Sequence, residues 1–176
     1  MTPDLIVAAA GRDPWSATAT WRDRVFRGAV GRAGIGHDKV EGDGRTPAGR
    51  WPMRRLHYRA DRFGIDGPPT ALRKRPIQRD DGWCDDPRAP AYNRLIRLPF
   101  GASHEDMWRG DALYDLVVEL GYNDDPPVSG RGSAVFLHIA RPDLGPTAGC
   151  VALAAEDLLS VLAEAMTESA VRILAR

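Results

Sequence analysis

The chain contains no apolar run long enough to cross a bilayer, no excess of either charge and too few cysteines for a disulfide-built scaffold. A spanning helix needs about 20 consecutive apolar residues, and here proline, glycine or charge interrupts every such run much earlier. The stretch from Met1 to Ala10 places an acid, Asp4, where an export signal wants a positive charge, and its apolar run is only strand-length. No export signal is legible, which taken literally implies a cytoplasmic location. Twenty-four basic residues balance 24 acidic ones, so no net field draws the protein to nucleic acid or anionic lipid, and neither is an expected partner. Cys84 and Cys150 lack C-x-x-C neighbours, and His37, His57, His104 and His138 fall at no ligand spacing. A structural zinc site is not expected, nor is any metal or cofactor. The 176 residues suffice for one core, so residues 1–176 are expected to form a single domain. Oligomeric state is unreadable.

What the chain has in quantity is punctuation: 14 prolines and 18 glycines cut it into short apolar runs, a pattern that favours strands. Strands are expected at Leu5–Ala9, Val25–Val30, Arg50–Leu56, Arg94–Leu98, Leu113–Val118, Ala134–Ile139 and Ala170–Leu174. One clear helix is expected over Ala155–Met166, where Leu158, Leu159, Leu162, Ala163 and Met166 recur at helical spacing. Glu156 and Asp157 in its first turn suit the helix dipole. The Gly/Pro-rich segment Lys39–Gly49 reads as a wide turn joining antiparallel strands. It lacks both the spacing and the following helix of a phosphate-binding loop. Asp80–Ala91 has no periodicity and reads as an irregular loop.

The chemistry concentrates in residues 136–153. A strand-like run delivers His138, a short Pro/Gly loop follows, and Cys150 stands directly after Gly149. A thiol of ordinary pKa, near 8.5, is mostly protonated at neutral pH and needs an imidazole or an array of backbone N–H groups to present thiolate. His138 can be that imidazole, and Gly149 frees the backbone to aim N–H groups at one point. By themselves the two residues are equally readable as a small buried hydrophobe and a hydrogen-bonded core histidine.

Three motifs in order resolve this. Lys39-x-Glu-Gly-Asp-Gly-Arg-Thr-Pro-Ala-Gly49, Gly132-Ser-Ala-Val-Phe-Leu-His138 and Thr147-Ala-Gly-Cys-Val-Ala-Leu153 together resemble the L,D-transpeptidase catalytic domain, the YkuD type, from about Val25 to about Leu174. The resemblance implies a mainly β fold, an antiparallel β-sandwich with one or two flanking helices. It also implies a two-step reaction on peptidoglycan stem peptides: a cysteine thiolate attacks the carbonyl of an L-centre, expels the next D-residue, and an amine from another stem resolves the thioester. On this likeness Cys150 is the nucleophile and His138 the general base and acid. The N–H groups of Ala148, Gly149 and Cys150 are the oxyanion donors, and the Ile139 carbonyl orients the imidazole.

The chain departs from the commoner family pattern at three places. Ala148 stands where most members have a histidine, Ala152 where many have an arginine, and only eight residues separate His138 from Thr147. Arg141, in the shortened loop, is the expected substitute for the missing arginine, its planar fork suited to a stem carboxylate. Thr147, Ser133, Trp83, Tyr122 and Asn123 are expected substrate-cleft residues, and Asp85, Asp86 and Glu105 candidates for holding a substrate amine. Water in place of the acceptor amine would make an L,D-carboxypeptidase or endopeptidase; a spent site would leave a non-catalytic peptidoglycan-binding module. The substrate class implies a periplasmic or wall-facing location, at odds with the missing export signal. Cys84 stays open as a core thiol, a cleft residue or a redox partner of Cys150.

Overall fold

The computed structural model describes residues 2–175. Strict alternation organises its first strands. In β1 (Asp4–Ala9) Leu5 and Val7 are buried, and in β2 (Ser16–Trp21) Ala17, Ala19 and Trp21 are, the period-two pattern of a half-buried strand. β3 (Arg24–Ala29) returns antiparallel to β2. There follow a short parallel pair, β4 (Ile35–Gly36) and β5 (Thr46–Pro47), then β6 (Gly49–Tyr58), α1 (Ala60–Phe63), β7 (Lys74–Pro76) and β8 (Asp81–Cys84). The chain continues through β9 (Leu95–Arg97), β10 (His104–Asp106), β11 (Leu116–Leu120), β12 (Phe136–Ile139), β13 (Val151–Leu153), α2 (Ala155–Glu164) and β14 (Ala170–Leu174).

Nine strands form one sheet in the order β11-β12-β13-β3-β2-β1-β14-β6-β7, and β6 pairs with β11 as well. β11 at one end therefore meets β6, and β7 stays outside the closure. Gly49–Pro52 of β6 pair with β14, and Met53–Tyr58 pair with β11, so a single long strand joins β14 to β11 and the sheet closes on itself. Closure removes the open edge that an unpaired strand would leave. The expected antiparallel sandwich is thus corrected to a mixed, barrel-like sheet: β1–β14, β12–β13 and β6–β7 run parallel. Period two reports which face of a strand is buried; it is silent on the partner and its direction.

Inside the closed sheet, Leu5, Val7, Leu56, Leu116, Leu137 and Leu153 pack with Leu158, Val161 and Leu162 of α2. A second cluster ties the small sheet β10-β8-β9 to the barrel through Trp83, Met107, Tyr114, Val117, Phe136 and Cys150. That small sheet corrects the first part of the irregular loop expected over Asp80–Ala91, since Asp81–Cys84 is a strand while residues 85–91 are irregular. All four residues of β8 are buried, and a strand covered on both faces shows no alternation to read. The turn expected at Lys39–Gly49 also takes a different form. β3 lies between β2 and β13, while β6 lies among β14, β7 and β11; the two are not paired, and the segment between them packs against the Cys150 loop instead. No helix among the described residues is long and apolar enough to cross a membrane.

Candidate active site

His138 and Cys150 are brought together by a parallel strand pair. In β12 and β13, Leu137 is level with Val151 and His138 with Ala152. Cys150, just before β13, therefore stands beside Phe136, whose N–H lies 3.4 Å from its Sγ. Side chains alternate along strands, so Phe136 and His138 share a face with Cys150 and Ala152. Thiol and imidazole are diagonal neighbours on that face, and both are buried, each 6% exposed.

The loop carrying the thiol is held from below. Thr147 Oγ1 donates to the Cys150 carbonyl at 2.7 Å and accepts from the Gly149 N–H at 3.1 Å. Thr46, fully buried, donates its hydroxyl to the same Cys150 carbonyl at 3.2 Å and accepts from the Gly31 N–H at 2.8 Å. The Gly-rich segment thus braces the cysteine. Gly149 has φ +152°, and a Cβ there would stand 2.9 Å from the Arg45 carbonyl oxygen, so close approach of two backbones requires glycine. Of the three expected oxyanion donors, the Gly149 N–H is already engaged by Thr147.

The resting groups are neutral. His138 Nδ1 lies 2.8 Å from the Ile139 carbonyl oxygen; a carbonyl only accepts, so Nδ1 carries the proton and Nε2 is the acceptor. Burial, with a smaller contribution from Arg109, pushes the imidazole down to about 4. The thiol donates to the Ala134 carbonyl at 3.1 Å, and burial, reinforced by the Glu105 carboxyl, pushes it up to about 12. An ionised sulfur was the sequence expectation; the structure instead holds a protonated thiol turned toward Ala134, without a hydrogen bond to His138.

Two cavities share Cys150 in their walls. One, of about 310 Å³, is lined by His138, Cys150, Glu105, Arg109, Tyr114 and Arg141 among others. The second, of about 250 Å³, is lined by Lys39, Glu41, Asp85, Ser133, Gly149 and again Cys150 and Glu105. Ala148 borders both. Arg141 also borders an apolar groove of about 720 Å³ that continues past Leu113 and Pro142. Its guanidinium makes no hydrogen bond or ion pair among the described residues.

Of the remaining expected cleft residues, Thr147 borders the first cavity with its hydroxyl engaged in the loop, and Ser133 borders the second, donating to Glu41 Oε2 at 2.7 Å. Trp83, Tyr122 and Asn123 line neither. Trp83 is buried edge-on to Phe136 at 5.0 Å, with its Nε1 donating to Asn93 Oδ1. Tyr122 packs edge-on to Trp51 and donates its hydroxyl to the Arg131 carbonyl. Asn123 Nδ2 donates to the Val128 and Gly132 carbonyls. The polar atoms of these three are consumed by the loops they tie, and Tyr122 instead lines a separate cavity of about 400 Å³ with His37, Lys39 and Arg131. Asp86 is paired with Arg88 away from the cavities, and Cys84 is a free, fully buried thiol of β8.

Sequence reasoning passed over Tyr114 and Arg109, and assigned Lys39 no role. Tyr114 donates to Glu105 Oε2, and its ring centroid lies 5.3 Å from that of His138. Only its place ahead of a strand that pairs with β12 connects it to the histidine. Among the described residues no cluster of side chains has a metal-binding arrangement.

No curated protein and no solved structure matches the chain. A family model does: the L,D-transpeptidase catalytic domain, YkuD, over residues 16–173. That span runs from the start of β2 almost to the end of β14 and contains the whole of both cavities. The chain therefore belongs to the YkuD family of L,D-transpeptidase catalytic domains.

Proposed function

We propose that this protein is a cysteine-dependent acyltransferase that cleaves peptidoglycan stem peptides at the carbonyl of an L-centre and passes the acyl group to an amine, forming a wall cross-link. The observation that carries this reading is that two cavities share Cys150 in their walls, one of them also lined by His138. Transfer needs a place for the retained acyl part and another through which the leaving and incoming amines pass.

In the first step the Cys150 thiol turns from Ala134 toward the imidazole, and His138 Nε2 accepts its proton as the sulfur bonds to the stem carbonyl carbon. The carbonyl π pair moves onto oxygen, stabilised by the N–H groups of Ala148 and Cys150. Collapse restores the carbonyl as a thioester, and the C–N bond breaks with His138 returning the proton to the leaving D-residue. The acceptor amine then enters on the same His138 side and gives a proton to Nε2 as its nitrogen bonds to the thioester carbonyl carbon; the C–S bond breaks, and His138 returns the proton to the Cys150 sulfur. Because the resting groups are neutral, His138 works as a general base on a protonated thiol, without a pre-formed ion pair.

Charges along the cavities suit this direction of binding. Arg141 in the His138 cavity faces the carboxylate of the departing D-residue. Glu41, Asp85 and Glu105 around the other cavity suit the side-chain ammonium of a diaminopimelate-type residue at the L-centre. Such a substrate puts the reaction on the wall-facing side of the cytoplasmic membrane.

The test is intact-mass spectrometry after incubation with a defined tetrapeptide stem, with and without added amine, on the parent and Cys150→Ala. A thioester adduct on the parent alone, followed by an exchanged or dimeric product, supports transfer. Tripeptide alone, whatever amine is supplied, replaces this reading with hydrolysis, and no adduct under any condition leaves a binding module.

A further inference from the structure

Lys39 is one of two lysines in the chain, and its side chain is only 3% exposed. Taking an ammonium out of water is costly unless its charge is used. Its single hydrogen bond among the described residues is to Asp43 Oδ1 at 2.9 Å, and an ammonium has three donors. Asp43 needs no lysine to stay in place, since its carboxylate also accepts from the backbone N–H groups of Val40 and Arg45.

The position of the ammonium indicates its use. The Lys39 stem lies along Gly132, where a Cβ would come within 2.8 Å of Cε. The Nζ borders Gly149, where an ideal Cβ would stand 3.3 Å from it. It lines the same cavity as Cys150, Ala148 and Gly149, and its field favours the ionised sulfur, against that of Glu105. The oxyanion site it borders is short of donors: the Gly149 N–H is engaged by Thr147 Oγ1, and residue 148 is an alanine with no side chain to offer one.

We propose that Lys39 is a catalytic residue whose ammonium, reaching over Gly149, stabilises the oxyanion formed when Cys150 attacks the substrate carbonyl. This rests on Cys150 being the nucleophile. As the sulfur–carbon bond forms, the carbonyl π pair becomes an oxygen lone pair facing Nζ, the thiol proton passes to His138, and Lys39 keeps its own proton throughout. Charge appears at that oxygen only in the transition state, so the contribution falls on the rate and leaves binding little changed.

Lys39→Met is expected to slow acylation by a stem peptide by about 10²–10³-fold, the usual loss for one oxyanion donor, with KM nearly unchanged, and Lys39→Arg to recover most of it. A wild-type rate in folded Lys39→Met overturns the proposal. A second measurement needs no variant. With only Lys39 and Lys74 present, ¹⁵N-lysine labelling of the intact protein yields two ammonium signals, and Lys74, bonded to the Asp66 carbonyl at 2.6 Å, is an internal reference. A tripeptide aldehyde ending in L-lysinal forms a hemithioacetal with a nucleophilic thiol, placing oxygen where the oxyanion develops. The Lys39 signal is expected to shift on adduct formation while that of Lys74 stays. An adduct on Cys150 with Lys39 unmoved overturns the role of Lys39 alone; failure of any adduct to form on Cys150 overturns the reading of the nucleophile itself.

Discussion

A buried thiol raised to about 12 presents about one thiolate in 30,000 molecules at pH 7.5, against about one in ten for a free cysteine of pKa 8.5. Alkylation of Cys150 by iodoacetamide is therefore expected to run about 10³-fold slower than that of a free thiol at this pH. Its rate should climb tenfold per pH unit and keep climbing past pH 10. Acylation by a stem peptide should behave differently. The substrate draws the thiol toward His138, whose neutral form persists down to about pH 4, so the acylation rate should stay flat through neutrality. The assay is intact-mass quantification of both reactions over pH 5–11, in a Cys84→Ala background so that a single thiol is counted. A plateau in the alkylation rate between pH 5 and 8 would mean a standing thiolate–imidazolium pair. That result would refute the argument that burial keeps both groups neutral.

Burial of His138 also predicts acid sensitivity. Its folded-state value of about 4 lies below the unfolded value near 6.5, so between them the unfolded chain binds more protons; the stabilisation is complete above pH 6.5 and lost as pH falls through 4. It is on the order of 3 kcal/mol, and urea titrations of the parent and His138→Gln across pH 3.5–7 should differ in slope; parallel curves would count against it. Thr46→Val keeps the shape but leaves the buried Gly31 N–H without its acceptor, a loss of about 2 kcal/mol. The expected fall in Tm is roughly 4–8 °C, and an unchanged Tm would show that Thr46 is not bracing the loop. Gly149→Ala drives a Cβ to 2.9 Å from the Arg45 carbonyl oxygen at φ +152°; strain of about 1–3 kcal/mol should lower Tm and slow acylation at least about tenfold, and wild-type values for both would contradict the packing described. Glu105→Gln removes the carboxyl that opposes sulfur ionisation. Alkylation at pH 9 should rise, and a fall would reverse the assigned sign.

How much of the site was readable depended on whether its residues are neighbours in sequence. His138, Gly149 and Cys150 lie on one short strand–loop–strand unit, and a Gly-Cys after a Pro/Gly loop is a local pattern. The helix expected over Ala155–Met166 was equally visible, although it ends at Glu164, since Leu158 and Leu162 recur at helical spacing and are buried. The place of Trp83 was illegible for the opposite reason. An aromatic residue near a polar loop looks the same in sequence whether it faces a cleft or a core, and only Phe136, packed edge-on against Trp83, decides which.

From the order of amino acids alone came the thiol, the imidazole, the glycine that lets two backbones touch and the mainly β character, because each of these is a property of residue type and short-range spacing. Tertiary structure decided that the sheet closes through a shared β6, that the Gly-rich segment braces the cysteine from more than 100 residues away, and that Lys39, Glu105 and Tyr114 border the sulfur. It also decided that the sulfur rests protonated. Charge states and cavities arise from what is packed around a group, and packing joins residues whose separation along the chain carries no trace of the contact.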